Sequence, residues 1–99
     1  MTSMPDEGLP PDIRQRFAVM QRQFVVGLPA RWQEIEHAPD AATRQGGLHR
    51  LSGSAGSFGF DALGRLARQA ELLVPGDNPA ALRQALDLLR KELGRHGVA

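Results

Sequence analysis

Apolar residues recur at intervals of three and four along four stretches of this chain, which is the spacing that places them on one face of an α-helix. The first stretch carries Ile13, Phe17, Met20, Phe24, Leu28, Trp32 and Ile35. The later stretches carry Leu48, Leu51, Ala55 and Phe58, then Leu63, Leu66, Ala70 and Leu73, and finally Leu82, Leu86, Leu89 and Leu93. No segment alternates apolar and polar residues with the period of about two that a half-buried strand requires. The pattern therefore predicts an all-α chain of four helices.

Turn and capping residues mark the limits of these helices. Pro11 suits the first turn of the first helix, which the segment 37–40, His-Ala-Pro-Asp, brings to an end. Asp40 is the expected N-cap of the second helix and Asp61 that of the third. Asn78, which precedes a proline, is a start signal for the fourth.

Pro29 lies inside the first apolar stretch. A proline there removes one backbone donor and crowds the carbonyl of Val25. We therefore expect a kink or a break near Gly27, although the apolar stripe continues past it.

The length and the connections indicate one small domain. Residues 1–10 contain Pro5, Gly8 and Pro10 and few apolar side chains, so we expect a mobile leader there, followed by a single domain over residues 11–97. Short connections between four amphipathic helices favour an antiparallel, up-down-up-down four-helix bundle. A chain of 99 residues has a modest core, which argues against an elaborate active site.

Composition excludes several classes of function. Twelve basic and eleven acidic residues leave a net charge of +1, without the basic excess of a nucleic-acid-binding protein. The chain has no cysteine, its three histidines share no metal-ligand spacing, and no run of about 18 apolar residues occurs. We expect a cytoplasmic monomer that binds neither nucleic acid nor membrane, with His37 and His96 as surface residues near helix ends.

A helix-turn-helix fold is the alternative architecture. Its recognition helix would span residues 61–73 and would offer only Arg65 and Arg68 to the bases.

The segment from Leu48 to Gly59, LHRLSGSAGSFG, contains one histidine among small residues. Its apolar spacing predicts a helix, but each glycine in a helix interior costs about 1 kcal/mol relative to alanine. On a helix, His49 falls at the edge of the apolar stripe. Its neighbours at three and four residues are Gln45, Gly46, Ser52 and Gly53. The imidazole would then stand over a shallow surface that another macromolecule can approach closely. A surface histidine without a role, beside glycines that only let helices pack closely, is the alternative interpretation.

Neutral imidazole is a nitrogen nucleophile that can carry a covalent group between two partners. The chain shows no Ser/His/Asp set, no paired carboxylates and no phosphate-cradling P-loop. These observations favour a carrier over a hydrolase.

The segment resembles the signature of histidine-containing phosphotransfer (HPt) domains, H-x-L-K-G-S-A followed by a glycine, a leucine and a glutamate. The matching residues are His49, Leu51, Gly53, Ser54, Ala55, Gly59, Leu63 and Glu71. The resemblance implies an antiparallel four-helix bundle in which His49 accepts a phosphoryl group on Nε2 from a receiver-domain aspartate and passes it to another receiver. The implied partners are response-regulator receiver domains or a hybrid sensor histidine kinase. Mg²⁺ would belong to the receiver, and this chain would need no cofactor.

The chain departs from the signature at Ser52, where the family usually has a lysine. Arg50 and Arg68 are the arginines considered for the missing charge, and Glu71 is assigned to a structural salt bridge. The residues expected to shape the site or to dock the partner are Gln45, Gly46, Arg50, Ser52, Gly53, Gly56, Arg68 and Gln69. A module that docks a receiver or kinase without transferring phosphate is the alternative function.

Overall fold

The computed structural model describes residues 8–99, and no strand occurs among them. Four helices follow the predicted order: α1 (Pro11–Glu36), α2 (Ala41–Ser57), α3 (Asp61–Leu73) and α4 (Pro79–Gly94). Helix α2 packs against α1 and α3, and α3 packs against α4. The predicted all-α class with four helices is confirmed. Of the expected leader, residues 1–7 lie outside the described part of the chain.

The helices bury their apolar stripes in one shared core. The largest fully buried side chains are Leu28, Ile35, Leu48, Leu51, Leu63, Leu89 and Leu93. Full burial of one such side chain stabilises the fold by about 1.5–3 kcal/mol. The inner face predicted for α2 is confirmed, because Leu48, Leu51 and Ala55 are buried and Phe58 packs against them half-buried.

Helix α1 runs without interruption through Pro29, so the break expected near Gly27 is wrong. A proline in a helix interior costs about 3 kcal/mol. The buried residues of α1 lie on both sides of it: Phe24, Leu28, Trp32 and Ile35. Each of these contributes a burial free energy of about 1.5–3 kcal/mol, and a break would detach one half of the stripe from the core. The burial free energy of the stripe therefore outweighs the cost of a proline in the helix interior. The Pro29 ring itself is exposed.

The predicted caps of α2 and α4 are confirmed. Asp40 accepts a hydrogen bond from the Thr43 backbone N–H at 2.7 Å, and Asn78 accepts one from the Ala81 N–H at 3.0 Å. Hydrogen bonds from Thr43 hold the pKa of the Asp40 carboxyl below its ordinary value. These side chains satisfy amide groups that have no partner within the helix.

The predicted N-cap of α3 is wrong. Phe60 occupies that position without a side-chain cap, and Asp61 is the first helical residue. The turn is set from the α2 side, where Gly59 adopts a φ of +83° and its N–H donates to Gly56 O at 3.2 Å. The Phe60 N–H donates to Ala55 O at 2.8 Å, which completes a Schellman motif and places Phe60, rather than Asp61, at the N-cap of α3.

Aromatic side chains surround the α2–α3 turn. The Phe24 ring lies 5.4 Å from the Phe58 ring and 5.5 Å from the Phe60 ring, centroid to centroid. Gln21 of α1 donates its Nε2 hydrogen to Phe58 O at 2.8 Å. His96, expected at the surface, is half-buried and meets the Phe60 ring edge-on at 5.3 Å. The turn that follows the His49 helix is therefore held both by α1 and by the residues that follow α4.

Candidate functional site

His49 lies in the middle of α2 at the edge of its apolar face. Its side chain is 67% exposed, although Leu48 and Leu51 beside it are fully buried. The core thus anchors the backbone that carries the ring, and the ring itself projects toward solvent.

Glu71 of α3 holds one edge of this ring. Its Oε2 lies 2.9 Å from His49 Nδ1, and its side chain is only 10% exposed. A carboxylate can only accept a hydrogen bond, so Nδ1 carries the proton. The neutral ring then keeps its lone pair on Nε2, which is the nitrogen available for nucleophilic attack.

The second oxygen of Glu71 faces Arg68. Glu71 Oε1 is shielded from solvent and has no hydrogen-bond partner among the described residues, and the Arg68 Nη1 lies 3.6 Å from it. The salt bridge assigned to Glu71 therefore exists, but the shorter contact of the carboxylate is with His49. Sequence reasoning left Glu71 out of the site. The sequence did contain a signal for this contact. His49 precedes the turn between α2 and α3 by about as many residues as Glu71 follows it, so two helices that pack against each other can bring the two side chains together.

Ser52 points toward α3 rather than toward solvent. Its Oγ donates to Gly64 O at 3.1 Å. A Cβ at the buried Gly64 would lie 3.3 Å from Ser52 O, so the two helices approach closely here. The position where the family usually has a lysine therefore lies against α3 and holds a half-buried hydroxyl group. Sequence reasoning also missed Gly64. A glycine between the apolar residues of the third stretch could have indicated that another helix packs closely there.

The glycines of α2 serve two different purposes. A Cβ at Gly53 or Gly56 would meet no atom within 4 Å, so both positions open onto solvent. A Cβ at Gly47 would lie 3.0 Å from Ile35 Cγ1, so that glycine allows α1 and α2 to pack closely. Close packing thus explains Gly47 but not the glycines that border His49.

A shallow groove of about 530 Å³ runs along α2 from His49. Its lining residues are Arg31, His49, Arg50, Gly53, Ser54, Ser57 and Phe58. Sequence reasoning included Arg50 but missed Arg31, because only the packing of α1 on α2 places Arg31 here.

The two candidate glutamines are not joined to His49. Gln45 is half-buried on α2 and makes no hydrogen bond to the imidazole among the described residues. Gln69 lines a different groove, between α3 and α4, with Leu72 and Leu88. Of the expected set, Arg50 and Gly53 line the groove together with His49, and Arg68 lies beside the carboxylate that contacts the ring. Ser52 contacts Gly64 O on α3, Gly46 borders the Arg50 side chain, and Gly56 does not line this groove.

Within residues 8–99 no helix is long and apolar enough to cross a membrane. The same residues contain no group of three or more histidine, cysteine or acidic side chains that could hold a metal ion.

Comparison with known proteins identifies the family. The model of the Hpt domain family matches residues 19–96, which run from within α1 to just beyond α4. No curated protein and no solved structure gives a significant match. Hpt domains are phosphocarrier modules that interact with receiver domains and histidine kinases in two-component systems, and they are not enzymes in themselves. The resemblance seen in the sequence is thus confirmed, and the chain belongs to the Hpt domain family.

Proposed function

We propose that this Hpt domain is a phosphocarrier whose His49 accepts a phosphoryl group on Nε2 from a receiver-domain aspartate and passes it to a second receiver. The observation that carries the proposal is the pairing of His49 with Glu71. The contact at 2.9 Å fixes the proton on Nδ1, and the exposed ring presents the unprotonated Nε2 to a partner.

The transfer exchanges one bond to phosphorus for another. The Nε2 lone pair forms an N–P bond while the P–O bond to the receiver aspartate breaks, and the aspartate leaves as a carboxylate. The ring keeps its Nδ1 proton and becomes positively charged, and the nearly buried Glu71 carboxylate stabilises that charge. Transfer to the second receiver reverses the same bonds, so no proton enters or leaves the site. We assign Mg²⁺ to the receiver and no cofactor to this chain.

Open backbone around His49 supports the approach of a receiver. Gly53 and Gly56 have no side chains, and a Cβ at either would point into empty space. A partner's active site can therefore approach the imidazole over Gly53 and Gly56 without meeting a side chain at those positions. We propose that Gly46, Gly53 and Gly56 shape this docking surface and that Arg68 acts through Glu71.

The helices that carry the site support an antiparallel arrangement. The connections at residues 37–40, 58–60 and 74–78 are short, and consecutive helices pack against each other. We propose an up-down-up-down bundle that acts as a monomer, because His49 and Glu71 come from one chain. Its partners would be receiver domains of response regulators or of a hybrid sensor kinase, in the cytoplasm.

A docking module that does not transfer phosphate is the second candidate. It is favoured by one observation, namely that Ser52 directs its hydroxyl to Gly64 O and supplies no positive charge on the α3 side of His49. Such a module would bind a receiver through the same surface and leave His49 unmodified.

The experiment that separates the candidates uses phosphorylated receiver domains encoded in the same genome. Each is mixed with the chain, and acid-labile, base-stable label on the chain is followed. We expect label on the wild type and none on His49→Gln, whereas His37→Gln, which removes another exposed histidine, should be labelled normally. Receiver binding without label on any of them would contradict transfer and establish the docking module. The absence of both binding and label would contradict both candidates.

A further inference from the structure

The groove beside His49, on the face of α2 that is turned away from α3, is lined by two arginines. Because a helix turns by about 100° per residue, Ser52 falls on the α3 side of His49, whereas Arg50 and Gly53 fall on the other side. The groove runs along this second side, where α1 adds Arg31. On the groove side, positive charge is therefore available from Arg31 and Arg50, whereas Ser52 supplies none.

The Arg50 guanidinium lies against Gly46, a neighbour of His49 on the helix surface. The Arg50 Nη1 lies 3.4 Å from the position that a Cβ would take at Gly46, so the arginine side chain folds back by one turn over the glycine. Gly46 is also the neighbour of His49 three residues earlier on the helix surface. The guanidinium thus lies over the glycine next to the imidazole on the helix surface, and a side chain longer than that of alanine at position 46 would compete for this space.

The Arg50 guanidinium has no anionic partner within the described chain. Arg68, Arg90 and Arg95 each pair with a carboxylate three residues away, whereas Arg65 and Arg83, like Arg50, form no ion pair within residues 8–99. Over residues 8–99 no such ion pair includes Arg50. Arg31 has no carboxylate partner there either, but its guanidinium stacks over the Phe24 ring, 5.4 Å from the centroid.

We infer that Arg50 binds the oxygens of the phosphoryl group on His49, with Gly46 as the residue that positions its guanidinium. The inference rests on the proposed function. A phosphoryl group brings negative charge to an exposed site, and a planar guanidinium can donate two hydrogen bonds to its oxygens. Arg50 then supplies, from the groove side, the positive charge that Ser52 does not supply from the α3 side.

Phosphoramidate tests this inference because it phosphorylates histidine without a receiver. Nε2 forms a bond to phosphorus, the P–N bond of phosphoramidate breaks, and ammonia leaves. At limiting phosphoramidate, we expect Arg50→Gln to slow the labelling of His49 about tenfold, as loss of one charge-assisted contact would do. Arg50→Lys keeps the charge but not the paired hydrogen bonds of the guanidinium, so it should recover only part of the rate. Arg31→Gln is the matched control from the same groove and should react like the wild type.

A double-mutant cycle tests the positioning role of Gly46. Gly46→Leu should slow labelling, but it should add nothing when Arg50 is already glutamine. Thermal unfolding of each variant checks that the fold is intact, since Arg50 is exposed and makes no ion pair within the described chain.

Three results would overturn the inference: equal labelling of wild type and Arg50→Gln, a larger loss for Arg31→Gln, or additive effects of Gly46→Leu and Arg50→Gln. A wild-type chain that phosphoramidate does not label would also overturn it. Labelling by phosphoramidate but by no receiver is a different outcome, because it contradicts the proposed relay and leaves the Arg50 site in place.

Discussion

At the scale of single residues, Glu71 explains how an exposed histidine on this helix can have a defined reactive nitrogen. A carboxylate that is nearly buried is costly unless charged or hydrogen-bonding groups surround it. Here it has His49 on one oxygen and Arg68 near the other. In the proposed transfer, a positive charge on the phosphorylated ring would strengthen the first of these contacts, so Glu71 would favour the phosphorylated state as well as the reactive tautomer.

Replacement of Glu71 by alanine should release the ring. Nδ1 then has no fixed acceptor, the proton distributes over both nitrogens, and we expect phosphorylation of His49 to slow by about tenfold. The nitrogen-15 chemical shifts of the imidazole report the tautomer directly. Glu92→Ala is the control, since Glu92 contacts His96 instead. A ring that stays fully protonated on Nδ1 in Glu71→Ala would contradict this role.

The variant Gly53→Leu tests whether Gly53 is needed for a receiver to reach His49 or for the chain to fold. Because a Cβ at Gly53 meets open space, leucine should raise the free energy of unfolding by up to about 1 kcal/mol through helix propensity. The same side chain should block transfer from a receiver but still allow labelling by the small phosphoramidate. Gly94→Leu, also at an open helical position, should leave transfer unchanged. A destabilised Gly53→Leu, or one that accepts phosphate from receivers at the wild-type rate, would show that the glycine has another role.

At the scale of the elements, α1 illustrates how packing overrides a local preference. Pro29→Ala restores a backbone donor to the interior of a helix that is already continuous. We expect the free energy of unfolding in urea to rise by about 2 kcal/mol, part of the local gain being offset by the greater freedom of the unfolded chain. A decrease in stability would mean that the proline shape itself is required, for example by a curvature that aligns the two halves of the stripe.

The start of α2 should make stability depend on acid pH. The pKa of Asp40 in the folded state is lowered from 3.8 by its hydrogen bonds to Thr43. Its stabilising effect is therefore fully present above the unfolded pKa and is lost as the pH falls through the folded pKa. Urea titrations measure the free energy of unfolding at each pH. We expect the difference in this free energy between wild type and Asp40→Ala to become smaller as the pH falls through this acidic range. Asparagine can also cap the helix but does not titrate, so the difference in unfolding free energy between Asp40→Asn and Asp40→Ala should persist at acidic pH. A gap that widens toward acid would refute the assignment.

At the scale of the whole molecule, the features that could be predicted from the sequence are the local ones. Helical spacing predicted the four helices, and the caps at Asp40 and Asn78 act within three residues of themselves. The continuity of α1 through Pro29 could not be predicted, because it depends on what the two halves of the stripe pack against. The N-cap expected at Asp61 was wrong because the preceding helix had already set the turn.

In the candidate site, too, the local features could be predicted from the sequence, and those that depend on helix packing could not. The position of His49 at the edge of the stripe and the open Gly53 follow from spacing along one helix. The hydrogen bonds from His49 to Glu71 and from Ser52 to Gly64 join two helices. Their geometry depends on the register between those helices, which the sequence pattern does not specify.

The central claim is that the phosphoryl group resides on Nε2 of His49 while Nδ1 stays bonded to Glu71. Nitrogen-15 and phosphorus-31 NMR of the chain after transfer from a phosphorylated receiver tests it most directly, because the coupling identifies the nitrogen that carries phosphorus. We predict a coupling to Nε2 of His49 alone, with the Nδ1 proton retained. Phosphorus on Nδ1, on His37 or His96, or on no histidine would contradict the account.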